Sequence, residues 1–144
     1  MKPLILFLLV TLAFSYTSAL AGEMPASEKL SKTPVFAFGG IGFAGTKSEG
    51  EIAFTQIFHA ASAEDDFIRM LKTGNPQAKC YALVGLRLKN RGLFAEQVRS
   101  FLSSKEQVQT ASGCIWMKVT LSSVAAGIQR GNYDERVLTK PNPR

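Results

Sequence analysis

The sequence predicts an all-α domain: a compact bundle of about five short helices, with stacked helical hairpins as one arrangement, entered through a short extended glycine-rich segment. Three observations predict it. Apolar residues recur at helical spacing in successive stretches between Ala53 and Ile128. Cap and stop residues punctuate those stretches, with Ser48 and Asn75-Pro76 at starts and Gly74 and Gly131 at ends. Finally, 46% of the 144 residues are hydrophobic, enough for one domain to bury a core of its own.

The chain opens on Lys2 followed by an apolar run from Leu4 to Phe14, and Ser18-Ala19-Leu20-Ala21 then offers small residues for cleavage. This is the layout of a secretory signal peptide over residues 1–21. The run is shorter than the roughly 20 residues that a membrane-spanning helix needs; a retained anchor is the competing reading. Residues 22–34 are polar and aperiodic and read as a flexible lead-in. Pro34-Val35-Phe36-Ala37-Phe38 reads as extended and runs into Gly39-Gly40-Ile41-Gly42-Phe43-Ala44-Gly45.

Ser48-Glu49-Gly50-Glu51 spells a capping box, so a helix is predicted from Glu49 to Ala60, with Glu51 reaching back to the cap. Ser62 restarts the pattern, with Glu64, Asp65 and Asp66 in a first turn where acids suit the helix dipole, and Gly74 stops it. Asn75 then caps a helix with Pro76 at its first position. That helix is apolar over most of its circumference through Cys80-Tyr81-Ala82-Leu83-Val84-Gly85-Leu86, as a buried helix is. Ala78, Ala82 and Gly85 share a face where a neighbour can approach closely. Arg91-Gly92 is expected to end it, and Phe94, Val98, Phe101 and Leu102 mark a shorter amphipathic helix. The stretch from Ser103 to Cys114 reads as a loop with a brief extended piece around Val108. Leu121, Val124, Ala125 and Ile128 carry the last helix. The single helical domain is therefore expected over residues 35–138, and a disordered tail over residues 139–144.

Gly40, Gly42 and Gly45 have the G-x-G-x-x-G spacing of a dinucleotide-binding loop. The rest of that unit is missing, because Ser62 to Leu71 reads as helix where a second strand is required. The glycines are expected instead to pack a small-residue segment against the bundle and deliver the chain to the Ser48 cap. Cys80 and Cys114 are the only cysteines. Export makes a Cys80–Cys114 disulfide the expectation, worth roughly 3–4 kcal/mol by loop closure; separate thiols, with Cys80 in the core, are the alternative. Two distant cysteines and one histidine make no zinc site, and neither a cofactor nor a metal is expected.

Chemistry is sparse. Any imidazole mechanism must use His59, placed at a helix end where a structural or surface role is the plainer reading. Glu64, Asp65 and Asp66 splay around one helix start. Tyr81 and Trp116 are candidates to line a binding groove, against a default of core packing. No G-x-S-x-G turn presents a nucleophile. The formal charge of +6 falls by one if Lys2 is removed, and its lysines and arginines are scattered. Such scatter reads first as a solvated surface; weak attraction for anionic lipids, polyanionic envelope polymers or an acidic partner is the alternative, ahead of nucleic acid, and stable membrane insertion after cleavage is not expected.

The segments Ala44-Gly45-Thr46-Lys47-Ser48-Glu49-Gly50-Glu51, Gly74 to Leu86, Ser112-Gly113-Cys114 and Gly127 to Asp134 resemble stretches of uncharacterised exported bacterial proteins of this size. The resemblance spans Phe36 to Tyr133 and implies a periplasmic or secreted setting, with no activity attached. The resulting expectation is a non-catalytic exported binding module that holds a protein or an envelope polymer, an inhibitor-like role being one version. A small envelope hydrolase using His59 or the Glu64–Asp66 cluster is the alternative.

Overall fold

The computed structural model describes residues 23–139; the expected signal peptide over residues 1–21 and the tail from 140 onward lie outside the described residues. The all-α expectation is corrected. The fold is mixed α/β, with seven helices and one two-stranded antiparallel sheet among the described residues. The helices are α1 (Ala26–Ser31), α2 (Glu49–Phe58), α3 (Ala63–Thr73), α4 (Pro76–Lys89), α5 (Arg91–Val98), α6 (Leu121–Gln129) and α7 (Asp134–Leu138). A 3₁₀ turn over Arg99–Phe101 follows α5, and strands β1 (Gln107–Ser112) and β2 (Ile115–Thr120) precede α6. Among the described residues no helix is long and apolar enough to cross a membrane.

Helix α4 is the axis of the molecule. From Cys80 to Leu86 every residue is buried, so neighbours must cover it on all sides. Its start follows the sequence: Asn75 Oδ1 accepts from Ala78 N at 2.9 Å, with Pro76 at the first helical position. The small residue Gly85 lets α3 approach so closely that a Cβ there would stand 2.2 Å from the Phe67 ring. The helix ends at Lys89, earlier than Arg91-Gly92. Asn90 both closes α4, through its amide to Leu86 O at 2.7 Å, and opens α5, through Oδ1 accepting from Leu93 N at 3.1 Å.

Tyr81 sits in the middle of this helix with its hydroxyl fully buried. It donates to Ala37 O at 2.6 Å, accepts from Ala37 N at 3.0 Å and shares a 3.2 Å bond with Ser48 Oγ. One side chain thus joins the extended 35–38 segment and the cap of α2 to α4. Phe36, Phe38 and Phe54 pack edge-on or tilted around the same ring at 4.9 to 5.7 Å between centroids. Ser48 caps α2 as predicted, accepting from Glu51 N at 3.1 Å. The other half of the capping box is diverted, because the buried Glu51 carboxylate accepts from Gly39 N at 2.9 Å.

The lead-in expected to be flexible contains α1, which is held by Leu30, fully buried in the core. The stretch read as a loop is the β-hairpin. Its register pairs Gln107 with Thr120 and Ser112 with Ile115, leaving Gly113-Cys114 as a two-residue turn. Only Gly113 there has a positive φ, +55°, as the first position of a type II′ turn requires. The far side of β1 pairs with Phe36, whose amide donates to Gln109 O at 2.8 Å. The extended segment therefore runs beside β1, and β2 is the outer edge.

The predicted disulfide is not formed. Cys80 is fully buried beside Lys79, and Lys79 pairs with Glu106 at 2.9 Å at the base of the hairpin. Cys114 is exposed at the hairpin's far end, beyond a six-residue strand that spans about 20 Å. A disulfide needs Cα atoms within about 7 Å, so the strand itself keeps the sulfurs apart.

Burial pushes the Tyr81 hydroxyl up to about 12, against hydrogen bonds that act the other way. Replacing it (Tyr81→Phe) leaves the buried amide and carbonyl of Ala37 without their partner, while Ser48 keeps its bond from Glu51 N, and is expected to cost about 1–3 kcal/mol in urea denaturation. Because the folded-state value lies above the unfolded one, Tyr81 contributes its stability fully below pH 10. That contribution falls as pH rises toward about 12 and is absent above it. The variant is therefore expected to show a shallower loss of stability over that alkaline window. A thiol reagent is expected to titrate one cysteine, Cys114, in the folded protein and both after unfolding. Burial holds the Cys80 thiol well above its usual range and out of the reagent's reach.

Candidate binding groove

The G-x-G-x-x-G segment folds as a tight loop. Ile41 N donates to Thr46 O at 2.8 Å, and Gly45 N to Gly42 O at 3.2 Å. Gly39, Gly42 and Gly45 all have positive φ, and a Cβ on Gly40 would stand 2.4 Å from Gly45 O. The glycines are thus required by the loop's own geometry. Gly42 N also donates to Gly113 O at 2.9 Å, which ties this loop to the hairpin turn.

Below these joined tips, a groove of about 360 Å³ opens between the hairpin, α6 and the α6–α7 connection. Phe36, Met117, Val119 and Val124 supply apolar surface, while Thr110, Ser123 and Asn132 supply hydroxyl and amide groups. Arg130 and Arg136 also line it, and no carboxylate does. The connection carrying Arg130 is latched to α4: Arg87 Nε donates to Asp134 Oδ1 at 2.9 Å and Arg87 Nη1 to Gln129 O at 3.1 Å. Asp134, the acid nearest Arg130 in the sequence, is thereby engaged by Arg87. Arg130 and Arg136 have no ion-pair partner among the described residues, and Arg136 makes one long bond, 3.4 Å, to Phe38 O. Tyr133 packs beside Phe36 at 5.1 Å, where partial burial raises its hydroxyl from the usual tyrosine value. Two unpaired guanidinium groups over an apolar floor suit an anionic group attached to an apolar body.

The sequence candidates fall in three places. Tyr81 is a core residue with a structural clamp and does not reach the groove. Trp116 lies on β2 with about half its surface exposed, paired across the ladder with Ala111. His59 caps the C-terminal end of α2 and shares a shallow depression with Glu64, Asp65 and Lys89. The depression brings the hydrolase candidates near one another without connecting them. Glu64 accepts from Asn90 Nδ2 at 3.1 Å, and Asp66 is held by Ser62 and Arg69. No hydrogen bond joins the imidazole to either carboxylate, and Lys89 lies over the Phe58 ring at 4.5 Å. Among the described residues no cluster of three or more metal-ligating side chains occurs.

Arg130 and Arg136 were not legible as site residues, since only the hairpin and the Arg87 latch bring them to one groove. The hairpin itself had a signal. Two stretches containing Val108, Thr110, Ile115, Trp116, Val119 and Thr120 flank Gly113-Cys114, the spacing of a two-residue hairpin loop.

The fold and groove thus define a small mixed α/β domain with a basic, partly apolar cleft. Comparison with protein-family models, with curated proteins and with solved structures finds no match.

Trp116 is the only tryptophan in the chain, so intrinsic fluorescence reports on the hairpin alone. The folded protein is expected to show an emission maximum close to that of the urea-unfolded chain and ready quenching by acrylamide. A strongly blue-shifted, unquenched indole would contradict the exposed placement.

Proposed function

We propose that the protein is an exported, non-catalytic binding module that holds an acidic, partly apolar segment of another envelope protein. The supporting observation is the groove whose only charged lining residues are Arg130 and Arg136. A partner segment would place a carboxylate between the guanidinium groups and an apolar side chain against Met117, Val119 and Val124. A uniformly polar polyanion would use the arginines and leave that floor uncovered, so a protein partner is favoured over an envelope polymer. The hydrolase alternative draws less support, because His59, Glu64 and Asp65 share a depression without the hydrogen-bonded nucleophile and base that such chemistry needs. The export part of the reading rests on the layout of residues 1–21.

The test is fluorescence anisotropy with a labelled peptide that alternates Glu with Leu and Phe. The wild-type chain is expected to bind it and to leave it chemically intact. The Gln-for-Glu peptide, and the variants Arg130→Ala and Arg136→Ala, are each expected to weaken binding about tenfold, the loss of one charge-assisted hydrogen bond. Equal affinity for the two peptides, or tighter binding of a polyphosphate chain, would overturn the reading.

A further inference from the structure

The most exposed apolar side chains near the groove lie at its outer end, on the two joined tips. Phe43, at the head of the glycine loop, is fully exposed, and Ile115, Trp116 and Met117 on β2 are each more than half exposed. Side chains alternate along a strand, so Ile115 and Met117 stand on one face of β2 and Trp116 on the other. The hairpin end is therefore an apolar blade, uncovered on both faces. A second copy or a folded partner laid against one face would leave the other in water. A medium that surrounds the blade covers both.

Within the two tip segments the charges are of one sign. From Phe36 to Ser48 and from Gln107 to Thr120 there is no Asp or Glu, and the only charged residues are Lys47 and Lys118. Lys47 leans toward Glu51 at 3.4 Å, while Lys118 is exposed and has no ion-pair partner among the described residues. The tips are also held in place: the Gly42–Gly113 bond joins them, and the loop's glycines fix Phe43 outward. Aromatic and aliphatic tips flanked by lysines are what a bilayer's headgroup region accommodates, with rings at the apolar boundary and ammonium groups among anionic headgroups.

We propose that the glycine-loop tip and the hairpin end dock together on an anionic phospholipid surface, inserting Phe43, Ile115 and Trp116 into its headgroup region. Docking of this kind is peripheral and uses Phe43, Ile115 and Trp116, leaving Met117 to the groove.

The experiment uses the full chain, with Trp116 as the local probe. Vesicles of phosphatidylcholine and phosphatidylglycerol in equal parts are expected to move Trp116 emission to shorter wavelength and shield it from acrylamide. Pure phosphatidylcholine is expected to do so only weakly, and added salt to reverse the effect. Lipids brominated near the headgroup are expected to quench Trp116. The double variant Phe43→Ser with Ile115→Ser is expected to weaken the Trp116 response at least about tenfold, while thermal unfolding is unchanged because both side chains are exposed. Lys118→Glu is expected to weaken it further. An unchanged Trp116 spectrum on anionic vesicles would overturn the proposal, even if the chain sediments with them through residues 1–21. So would a concentration-dependent blue shift without lipid, which signals a second copy, or equal responses to the two vesicle types.

Discussion

One buried hydroxyl decides how the chain is put together. Tyr81 projects from the middle of α4, and its oxygen meets both backbone groups of Ala37 and the side chain of Ser48. Ala37 belongs to the extended segment that pairs with β1 on the side away from β2, and Ser48 begins α2. Without that contact, the extended segment would carry a buried amide and carbonyl with no partner, a sizeable part of the margin by which small domains are stable. The contact also fixes where the glycine loop starts, because the loop leaves directly after Phe38. The exposed tips and the groove thus inherit their position from a residue in the core.

The sequence signals that worked were local. Ser48, Asn75 and Pro76 announce helix starts through their own backbone chemistry, and α2, α3, α4 and α6 lie where the caps and apolar spacing put them. The signals that failed were those that depend on distant residues. Helix α1 is too short to persist alone and forms because Leu30 finds a place in the core. Helix α7 begins at Asp134, the acid that Arg87 holds. Strand β2 exposes Ile115, Trp116 and Met117, so it lacks the regular apolar-in, polar-out alternation that marks a half-buried strand. The polar residues of β1 made the hairpin look like a loop, although its two-residue turn was spelled out. The disulfide expectation failed for the same reason: pairing by elimination ignores the strand that separates the sulfurs.

At the candidate groove, the sequence offered Tyr81 and Trp116, whereas the groove is lined by Arg130 and Arg136. The positive charge is scattered along the sequence, yet folding brings two arginines from that scatter to one groove while Arg87 holds Asp134. Tyr81 was drawn into the core by its position on the most apolar helix, whereas Trp116 was left outside. A lone aromatic carries no mark of which fate it meets. Tertiary pairing settles it.

The joint at Asn90 has a consequence of a different kind. Its amide closes α4, its carbonyl accepts from Phe94 N at 3.0 Å, and its side chain opens α5, so a single residue is the entire connection. Inserting or deleting one position there would sacrifice one cap or turn α5 about its axis, displacing Phe94 and Val98 from the core. Drift in chain length must therefore be absorbed elsewhere, at Ser103 to Lys105 before the hairpin, where the side chains are largely exposed and the backbone belongs to no helix or strand.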